Sequence, residues 1–481
     1  MNFRIKYLIV SLIIITLLSV AFFRNKNAGK RISRPNIVLI TIDSLRADHM
    51  GIYGYPKNTT PFLDSLAGKS ILYENAIAPS YLTFLTDAAI LSSLYPSQNG
   101  NISWTTSIKD SLYLLPQLLG MNGYNTSAFV SPSLWTYFGF AKKFDFYFLN
   151  NNLKNIKESK KQVEKWVTNF KEPFFLFWHI YDAHLPFIEA TNEFYTGKVN
   201  GKFQDKDRLF VWEDQKIESG KLYIAKYTDN QRNKDLKKYI ELSQEDIAYI
   251  QASYDSGVRF VDDELKSLFG VIEKKPFFTN TLFIITSEHG EDLIEHGFLF
   301  HKDLYDVNIK VPLLFYHPKL GAKRIKNLVS LLDITPTLLN LANIPQLVNS
   351  EGIDILSSDF LKKRNVDRMV FIERTPFDEY AVRTLKWKYI LRNPQKKKLL
   401  LSDSEVFDNF MKDIVKNEIT FTDELYDLEA DPGEKNNLIG KKLPIENVLR
   451  EKINEYKLKM NNAQEININE DLIHPKYIDY P

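Results

Sequence analysis

The chain has 481 residues, of which 44% are apolar and 25% are charged, as in globular proteins with a large buried core. Its net charge of +2 creates no overall field that would attract nucleic acid, so we expect no nucleic-acid partner. Cysteine is absent, which excludes disulfides, thiolate zinc sites and a cysteine nucleophile.

An apolar run lies close to the N-terminus. Residues 7–23 contain only Ser and Thr as polar members, and they follow Arg4 and Lys6. This length is close to the minimum for a membrane span, and a signal peptide has the same order of basic and apolar residues. No small-x-small cleavage site follows, which favours a retained anchor. We therefore predict that residues 1–23 are a membrane anchor or signal segment, with the folded part on the extracytoplasmic side.

The globular part is expected to begin at residue 35, after a basic, polar linker at residues 24–34. Short apolar runs predict buried strands at 36–42, 174–180, 281–286 and 310–316. Helical patterns lie between them at 60–68, 86–94, 158–170, 244–268 and 333–342. This alternation predicts an α/β fold, in which helices sandwich a mostly parallel sheet.

Two regions depart from this alternation. Residues 190–240 are rich in Lys, Asp, Asn and Gln with weak periodicity, which indicates an insertion over the sheet and a candidate lid. Short strand patterns follow residue 365, at 369–373, 380–383 and 387–391. We therefore predict a main domain at residues 35–364 and a small α+β subdomain at residues 365–481.

Carboxylates and imidazoles follow three of the predicted strands. Asp43 ends the first strand, His184 follows the second, and Glu288 and His289 follow the third. In open parallel sheets, ligands bind beyond the carboxyl ends of the strands. Any one of these side chains could serve as a turn or capping residue, but their common position indicates a divalent metal site.

Hydroxyl groups precede the helix predicted at residues 86–94, in the segment from Ala78 to Asp87. Such hydroxyls often cap a helix. A nucleophile in this position would instead have its oxyanion stabilised by the helix dipole and by free backbone N–H groups. The residues alone leave both interpretations open.

The chain resembles the sulfatase family of the alkaline-phosphatase superfamily. The opening segment from Pro35 through Asp43 to Asp64 carries the resemblance first. Further motifs follow in the family's order at residues 78–96, 174–186, 261–263, 287–291, 295–297, 311–313, 333–337 and 424–438. The resemblance covers roughly residues 35–440 and implies the alkaline-phosphatase-like fold.

The resemblance also implies roles for individual residues. One divalent metal ion, Ca²⁺, Zn²⁺ or Mn²⁺, would be held by four side chains: Asp43, Thr83, Glu288 and His289. His184 and His301 would contact the sulfate or phosphate oxygens of the ester, as a charged transition state requires. The partner implied is an anionic ester, carried by a sulfated or phosphorylated glycan, lipid or small molecule.

Five positions depart from the family pattern. Thr83 stands where sulfatases have the Cys or Ser that becomes formylglycine, Leu85 replaces a proline, and Asp87 replaces a basic residue. Glu288 replaces an aspartate, and Ser44 stands where many sulfatases have a second one. Asp87 is the most unexpected, because a carboxylate repels a bound dianion unless it faces a cation.

These departures leave several functions open. The first is hydrolysis of sulfate or phosphate esters at the cell envelope, with Thr83 as the candidate nucleophile. The alternatives are transfer of a phospho-group between envelope lipids or glycans, and binding of anionic glycan without catalysis. Thr83 cannot provide the second hydroxyl by which formylglycine hydrate expels sulfate, so we expect phosphate esters to be favoured.

Overall fold

The structure of the chain is a computed structural model. It describes residues 34–103, 106–131, 138–150, 155–185, 194, 209–218, 221–227, 238–297, 299–347, 349–362, 368–395 and 422–465. The predicted anchor at residues 7–23 lies outside these ranges. Within them, none of the helices combines the length and the apolar character needed to cross a membrane.

The described part of the chain is organised around three sheets. Its strands are β1 (Asn36–Ile42), β2 (Ile71–Ile77), β3 (Asn125–Val130), β4 (Phe146–Leu149), β5 (Phe174–Ile180), β6 (Leu209–Glu218), β7 (Lys221–Tyr227), β8 (Lys238–Glu241), β9 (Thr281–Thr286), β10 (Lys310–Tyr316), β11 (Lys323–Ser330), β12 (Val370–Arg374), β13 (Glu379–Arg383), β14 (Trp387–Leu391) and β15 (Glu424–Asp427).

Its helices alternate with these strands. They are α1 (Pro61–Ala67), α2 (Thr83–Ser92), α3 (Pro96–Asn99), α4 (Leu115–Met121), α5 (Ile156–Asn169), α6 (Gln244–Ile272), α7 (Asp306–Ile309), α8 (Ile334–Leu341), α9 (Ser358–Lys362) and α10 (Pro444–Glu465).

The central sheet has eight strands in the order β11-β2-β10-β9-β1-β5-β3-β4. All of its pairings are parallel except those of β10 with β9 and with β2. The predicted α/β fold with a mostly parallel sheet is therefore confirmed. β1, β5, β9 and β10 have the predicted bounds. β2 was not predicted, because half-buried Glu74 and Asn75 interrupt its apolar run.

Helices cover both faces of this sheet, as the alternating side chains of β1 show. Ile37 and Leu39 belong to one hydrophobic core, which contains residues of α2, α4 and α8. Val38 and Ile40 belong to a second core with residues of α1, α5 and α6. Because both faces are covered, β1 is buried along its whole length and reads as a continuous apolar run.

One helix boundary matters for the site. The helix predicted at residues 86–94 is α2, and it begins three residues earlier, at Thr83. Leu82 is still extended, and the first helical hydrogen bond runs from the Thr86 N–H to the Leu82 carbonyl. Thr83 therefore lies in the first turn, where backbone N–H groups have no acceptor within the helix.

The other two sheets are small and antiparallel. Strands β6, β7 and β8 form one of them within the predicted insertion at residues 190–240. Strands β12 to β15 form the other, and α10 packs on it through Leu449 and Ile453 against Val382 and Tyr389. The domain boundary after residue 364 stays a prediction.

Candidate active site

Three adjacent parallel strands, β9, β1 and β5, bring the predicted polar residues to one edge of the central sheet. Asp43 directly follows β1, and its N–H donates to the carbonyl of Ile180, the last residue of β5, at 2.8 Å. Glu288 and His289 follow β9, and His184 follows β5. The common edge expected from the sequence is therefore present.

Thr83 reaches this edge from the start of α2. Its Oγ1 lies 2.9 Å from Nε2 of His289 and 3.4 Å from Oδ2 of Asp43. Nε2 of His289 is in turn 3.4 Å from Oδ1 of Asp43. Three of the four side chains expected at the metal are thus in mutual contact.

His179 connects the fourth of them, Glu288, to this group. Its Nε2 lies 3.0 Å from Oε1 of Glu288 and 3.5 Å from Oδ2 of Asp43. No role was predicted for His179. The signal in the sequence was an imidazole within the otherwise apolar run of β5. In the sheet, His179 pairs with Thr41, which lies two residues before Asp43.

Asp87 also belongs to this group. It lies four residues after Thr83 on α2, so the two side chains share one face of the helix. Asp87, His179 and Glu288 are buried and offer ligand atoms within 4.8 Å of one another. The unexpected carboxylate therefore faces the candidate metal site.

Three histidines are oriented in the same way. The Nδ1–H groups of His179, His184 and His289 donate to the backbone carbonyls of Ser131 (2.6 Å), Leu185 (2.7 Å) and Gly290 (2.9 Å). A neutral imidazole with this bond carries its lone pair on Nε2. Metal-binding histidines are held in this manner, with the ring orientation fixed by a backbone acceptor.

Electrostatics show how much negative charge is concentrated here. Burial and the neighbouring Glu288 raise the pKa of Asp87 well above its usual value. Burial opposes the charged form of Asp43 too, but His184, His179 and His289 together lower its pKa. His179 is one of the compensating groups: burial would lower its pKa, but Glu288 and Asp43 raise it well above its usual value.

The donor set fits a divalent cation. Both carboxylate oxygens of Asp87 and of Glu288 are buried without a hydrogen bond of ordinary geometry. Buried carboxylates are costly unless they are paired or bind a metal. Asp43, Asp87 and Glu288 supply three carboxylates, which a divalent ion would balance better than the single imidazolium of His179 can.

His184 and His301 lie beside this group. Their ring centroids are 5.1 Å apart, and the ring of His301 stacks on that of His289 at 3.8 Å. Glu291 lies with them, since ligand atoms of His184, Glu291 and His301 fall within 4.8 Å of one another. Burial raises the pKa of Glu291 to about 7. No role was predicted for Glu291, although it closes the motif at residues 287–291.

Comparison with known proteins identifies the family of this chain. The sulfatase family model matches residues 35–344, which include Asp43, Thr83, Glu288 and His301. This chain belongs to the sulfatase family. It is therefore an ester hydrolase. Members of this family typically bind a divalent metal ion.

Its relatives are distant. A sulfatase of Formosa agariphila is 24% identical over 391 residues, covering 70% of this chain and 75% of that protein. A Δ4,5-hexuronate-2-O-sulfatase of Bacteroides thetaiotaomicron is 22% identical over 435 residues, covering 85% of this chain and 86% of that protein.

Solved structures show the same fold. One is a protein in complex with its substrate D-glucosamine-2-N,6-O-disulfate, with a TM-score of 0.64 and 17% identity, covering 89% of this chain and 99% of the other. Another is a phosphonate monoester hydrolase of Agrobacterium radiobacter, with a TM-score of 0.64 and 17% identity, covering 89% of this chain and 96% of the other.

Proposed function

We propose that this sulfatase-family chain is a metal-dependent hydrolase of sulfate or phosphate esters, with Thr83 as its nucleophile and phosphate esters as its favoured substrates. The observation that carries the proposal is the position of the Thr83 hydroxyl, 2.9 Å from His289 and 3.4 Å from Asp43 at the start of α2. An oxyanion at a helix N-terminus is stabilised by the helix dipole and the backbone N–H groups.

The residues that would hold the metal are the four expected ones, joined by His179 and Asp87. A divalent ion bound there supplies a Lewis acid that polarises the ester and favours the deprotonated Thr83 hydroxyl. Two imidazoles in the donor set favour Zn²⁺ or Mn²⁺ over Ca²⁺, because calcium prefers oxygen ligands alone. His179 and His289 supply these imidazoles.

Thr83 limits the chemistry that can follow. In the first step its Oγ would form a bond to phosphorus while the bond from phosphorus to the leaving alcohol breaks. In the second step water would attack phosphorus and release Thr83 and phosphate. The same release from a sulfated Thr83 requires attack at sulfur or at a hindered secondary carbon. A single hydroxyl therefore suits phosphoryl transfer better than sulfuryl transfer.

The relatives support a broad substrate class, anionic esters. Relatives of this fold act on sulfated sugars and on phosphonate monoesters, according to their names. We infer that the substrate of this chain is an anionic ester. We also infer that the protein acts at the cell envelope, because the predicted anchor at residues 7–23 would hold the domain at a membrane.

The test compares Thr83→Ala with Thr86→Ala, a control three residues further along α2. Thr86 donates to the Ser80 carbonyl at 3.2 Å and is fully buried, so its loss costs about 1 kcal/mol of stability without removing a site residue. Purified protein is loaded with Zn²⁺ or Mn²⁺ and assayed on aryl phosphate, phosphodiester and sulfate esters.

Thr83→Ala should lose roughly a thousandfold or more in kcat on every ester that the unmutated protein hydrolyses. Its melting temperature should fall no further than that of Thr86→Ala, which should keep most of its activity. Mass spectrometry after a rapid acid quench should detect phosphate on Thr83. An active Thr83→Ala protein would show that this threonine only caps α2. A transferase would instead pass the phospho-group to an added alcohol in preference to water.

A further inference from the structure

Exposed apolar side chains lie at the amino edge of the central sheet, the edge where its parallel strands begin and the one opposite the candidate active site. Met121 ends α4, which leads into β3, and is 55% exposed. Phe146 opens β4, and Phe170 directly follows α5, which leads into β5; both are exposed. Because β5, β3 and β4 are adjacent, the three residues lie along one stretch of this edge.

Basic residues accompany these apolar side chains. Six exposed cations flank strands at the amino edge: Arg34, Lys69, Lys171, Lys274, Lys319 and Lys323. Three exposed carboxylates flank them there: Asp145, Glu172 and Glu273. The positive excess at this one edge is larger than the net charge of +2 of the whole chain. A local excess of this kind attracts an anionic surface.

The chain also enters the fold at this edge. Arg34 lies two residues before β1, and its guanidinium donates to the carbonyl of Asn122, the residue after Met121. The eleven residues of the linker at 24–34 can span at most about 37 Å, whereas a domain of this size is roughly 50 Å across. An anchor at residues 7–23 would therefore keep the amino edge near the bilayer and hold the opposite edge away from it.

We propose that the amino edge of the central sheet docks on an anionic bilayer, with Met121, Phe146 and Phe170 at the level of the lipid headgroups. Apolar and aromatic side chains that are flanked by lysines are typical of protein surfaces that lie on a membrane. A second copy of the chain fits this edge less well, because each copy would present the same positive excess to the other.

Docking depends on the anchor. The short linker keeps the edge at a high effective concentration next to the bilayer, so that a weak surface contact is sufficient to orient the domain. Three apolar side chains and a modest charge excess are a small surface. Without the anchor, we therefore expect the domain to stay in solution.

This orientation turns the candidate active site away from the membrane. β1 has seven residues, so Asp43 lies about 23 Å beyond the amino edge. If the proposed function holds, on which this consequence rests, esters outside the anchoring membrane are better placed as substrates than lipids within it.

The experiment uses single-cysteine variants, which the absence of natural cysteines makes possible. Full-length Met121→Cys and Phe146→Cys are labelled with a fluorescent maleimide. They are incorporated into nanodiscs of phosphatidylglycerol and phosphatidylcholine, with and without a spin-labelled lipid that quenches the probe. Quenching that depends on this lipid reports contact between the labelled residue and the bilayer.

Leu458→Cys is the matched control, because Leu458 is apolar and, at 64%, more exposed than Met121. It lies on α10, which packs on the small antiparallel sheet. That sheet adjoins the opposite edge of the central sheet, where Glu373 pairs with Ser80, three residues after β2. A probe at position 458 should therefore stay away from the lipid.

The spin-labelled lipid should quench Met121→Cys and Phe146→Cys and leave Leu458→Cys unchanged. Adding Lys171→Glu and Lys274→Glu to Met121→Cys should lower the docking equilibrium about 25-fold, since each lysine near an anionic surface contributes about fivefold. Lys441→Glu, which changes an exposed lysine before α10, should have little effect. Melting temperatures close to that of the unmutated protein would show that the labelled variants are folded.

Absence of quenching at positions 121 and 146, or equal quenching at position 458, would overturn the proposal. A dimer in detergent that shields these probes from a soluble quencher would assign the edge to a second copy instead. A full chain that does not stay with nanodiscs would overturn the anchor as well. Hydrolysis of soluble aryl esters should be the same in the charge-reversed variant, so a failed docking test leaves the proposed function intact.

Discussion

At the scale of single residues, this chain lacks a carboxylate at Ser44 and has an additional one at Asp87, compared with the family pattern. The family resemblance places a second aspartate at position 44 and a basic residue at position 87. Here the Ser44 hydroxyl donates to Oδ1 of Asp43 at 3.3 Å, and Asp87 brings a carboxylate to the same buried group from α2. The number of carboxylates is therefore kept at three, which makes Asp87 a candidate ligand instead of an obstacle to anion binding.

Asp87→Asn should have opposite effects on stability and on metal binding. The pKa of Asp87 is raised on folding, so ionisation above its unfolded value near 4 destabilises the metal-free protein increasingly as pH rises. Replacing this ionisable carboxyl by an amide should stabilise the metal-free protein at pH 7 by about 1–3 kcal/mol. The same change should weaken metal binding roughly 10- to 100-fold.

Urea unfolding of metal-free protein at pH 5 and pH 8, with metal titrations, measures both effects. Asp262→Asn is the matched control, because Asp262 is a buried aspartate that accepts the N–H groups of Phe62 and Leu63 at the start of α1. It should leave the metal affinity unchanged. If Asp87→Asn binds the metal as tightly as the unmutated protein, Asp87 is not a ligand.

At the scale of elements, the C-terminal sheet holds the loop that carries His301. Arg392, just after β14, pairs with Asp303 at 2.7 Å, with Glu424 at 2.6 Å and with Glu379 at 3.1 Å. Asp303 follows His301 by two residues. The antiparallel sheet is therefore connected by buried ion pairs to the edge of the central sheet where the site lies.

A second set of ion pairs repeats this connection at α7. Lys388 of β14 and Arg383 of β13 contact Asp306 at 3.0 Å and 2.9 Å. These cations hold the pKa of Asp306 below its usual range despite burial. Asp303 and Asp306, which both follow His301, are thus each paired with cations of the small sheet. Loss of that sheet is expected to displace His301.

Arg392→Met should therefore lower both stability and activity. It leaves buried Asp303 and Glu424 without their main cation, which costs about 3–5 kcal/mol of unfolding free energy, while Glu379 keeps Arg374 at 2.7 Å. Lys386→Met, which removes a surface pair with Asp427 and Glu429, should change stability little. Chemical denaturation and kcat/KM of the two variants provide the comparison. If Arg392→Met were as stable as Lys386→Met, the ion pairs of Arg392 would not anchor the loop.

At the scale of the whole molecule, the described fold begins just before β1, at Arg34. Arg34 lies over the ring of Tyr124, with 5.6 Å between its guanidinium carbon and the ring centroid. The first described residue is therefore in contact with the folded domain. The apolar run at residues 7–23 precedes this unit, and we propose that it is a membrane anchor. We expect the folded domain to be stable without this segment.

Deletion of residues 1–33 should give a soluble protein with the melting temperature and metal content of the full chain. The full chain should sediment with membranes and require detergent, because the apolar run binds the bilayer. Fractionation, gel filtration and differential scanning calorimetry of the two forms check this. A truncated protein that still sediments with membranes would mean that another surface binds the bilayer.

Much of the site followed from the sequence alone. The apolar runs of β1, β5 and β9 are continuous because those strands are covered on both faces, and polar residues at their ends stand out for that reason. The order of motifs indicated the sulfatase family, and the family match confirmed it. Local sequence was sufficient here because strand ends in a parallel sheet share one edge.

The tertiary structure decided which further groups join them. His179 lies inside an apolar strand and Asp87 inside a helix, so neither is marked by a strand end or a turn. Only the register of β5 on β1 and the packing of α2 bring them to Glu288. Glu291 and His301 are close in sequence, but only the folding of the chain brings them to His184, more than a hundred residues earlier. Electrostatic partners depend on distance in space, which sequence spacing does not determine.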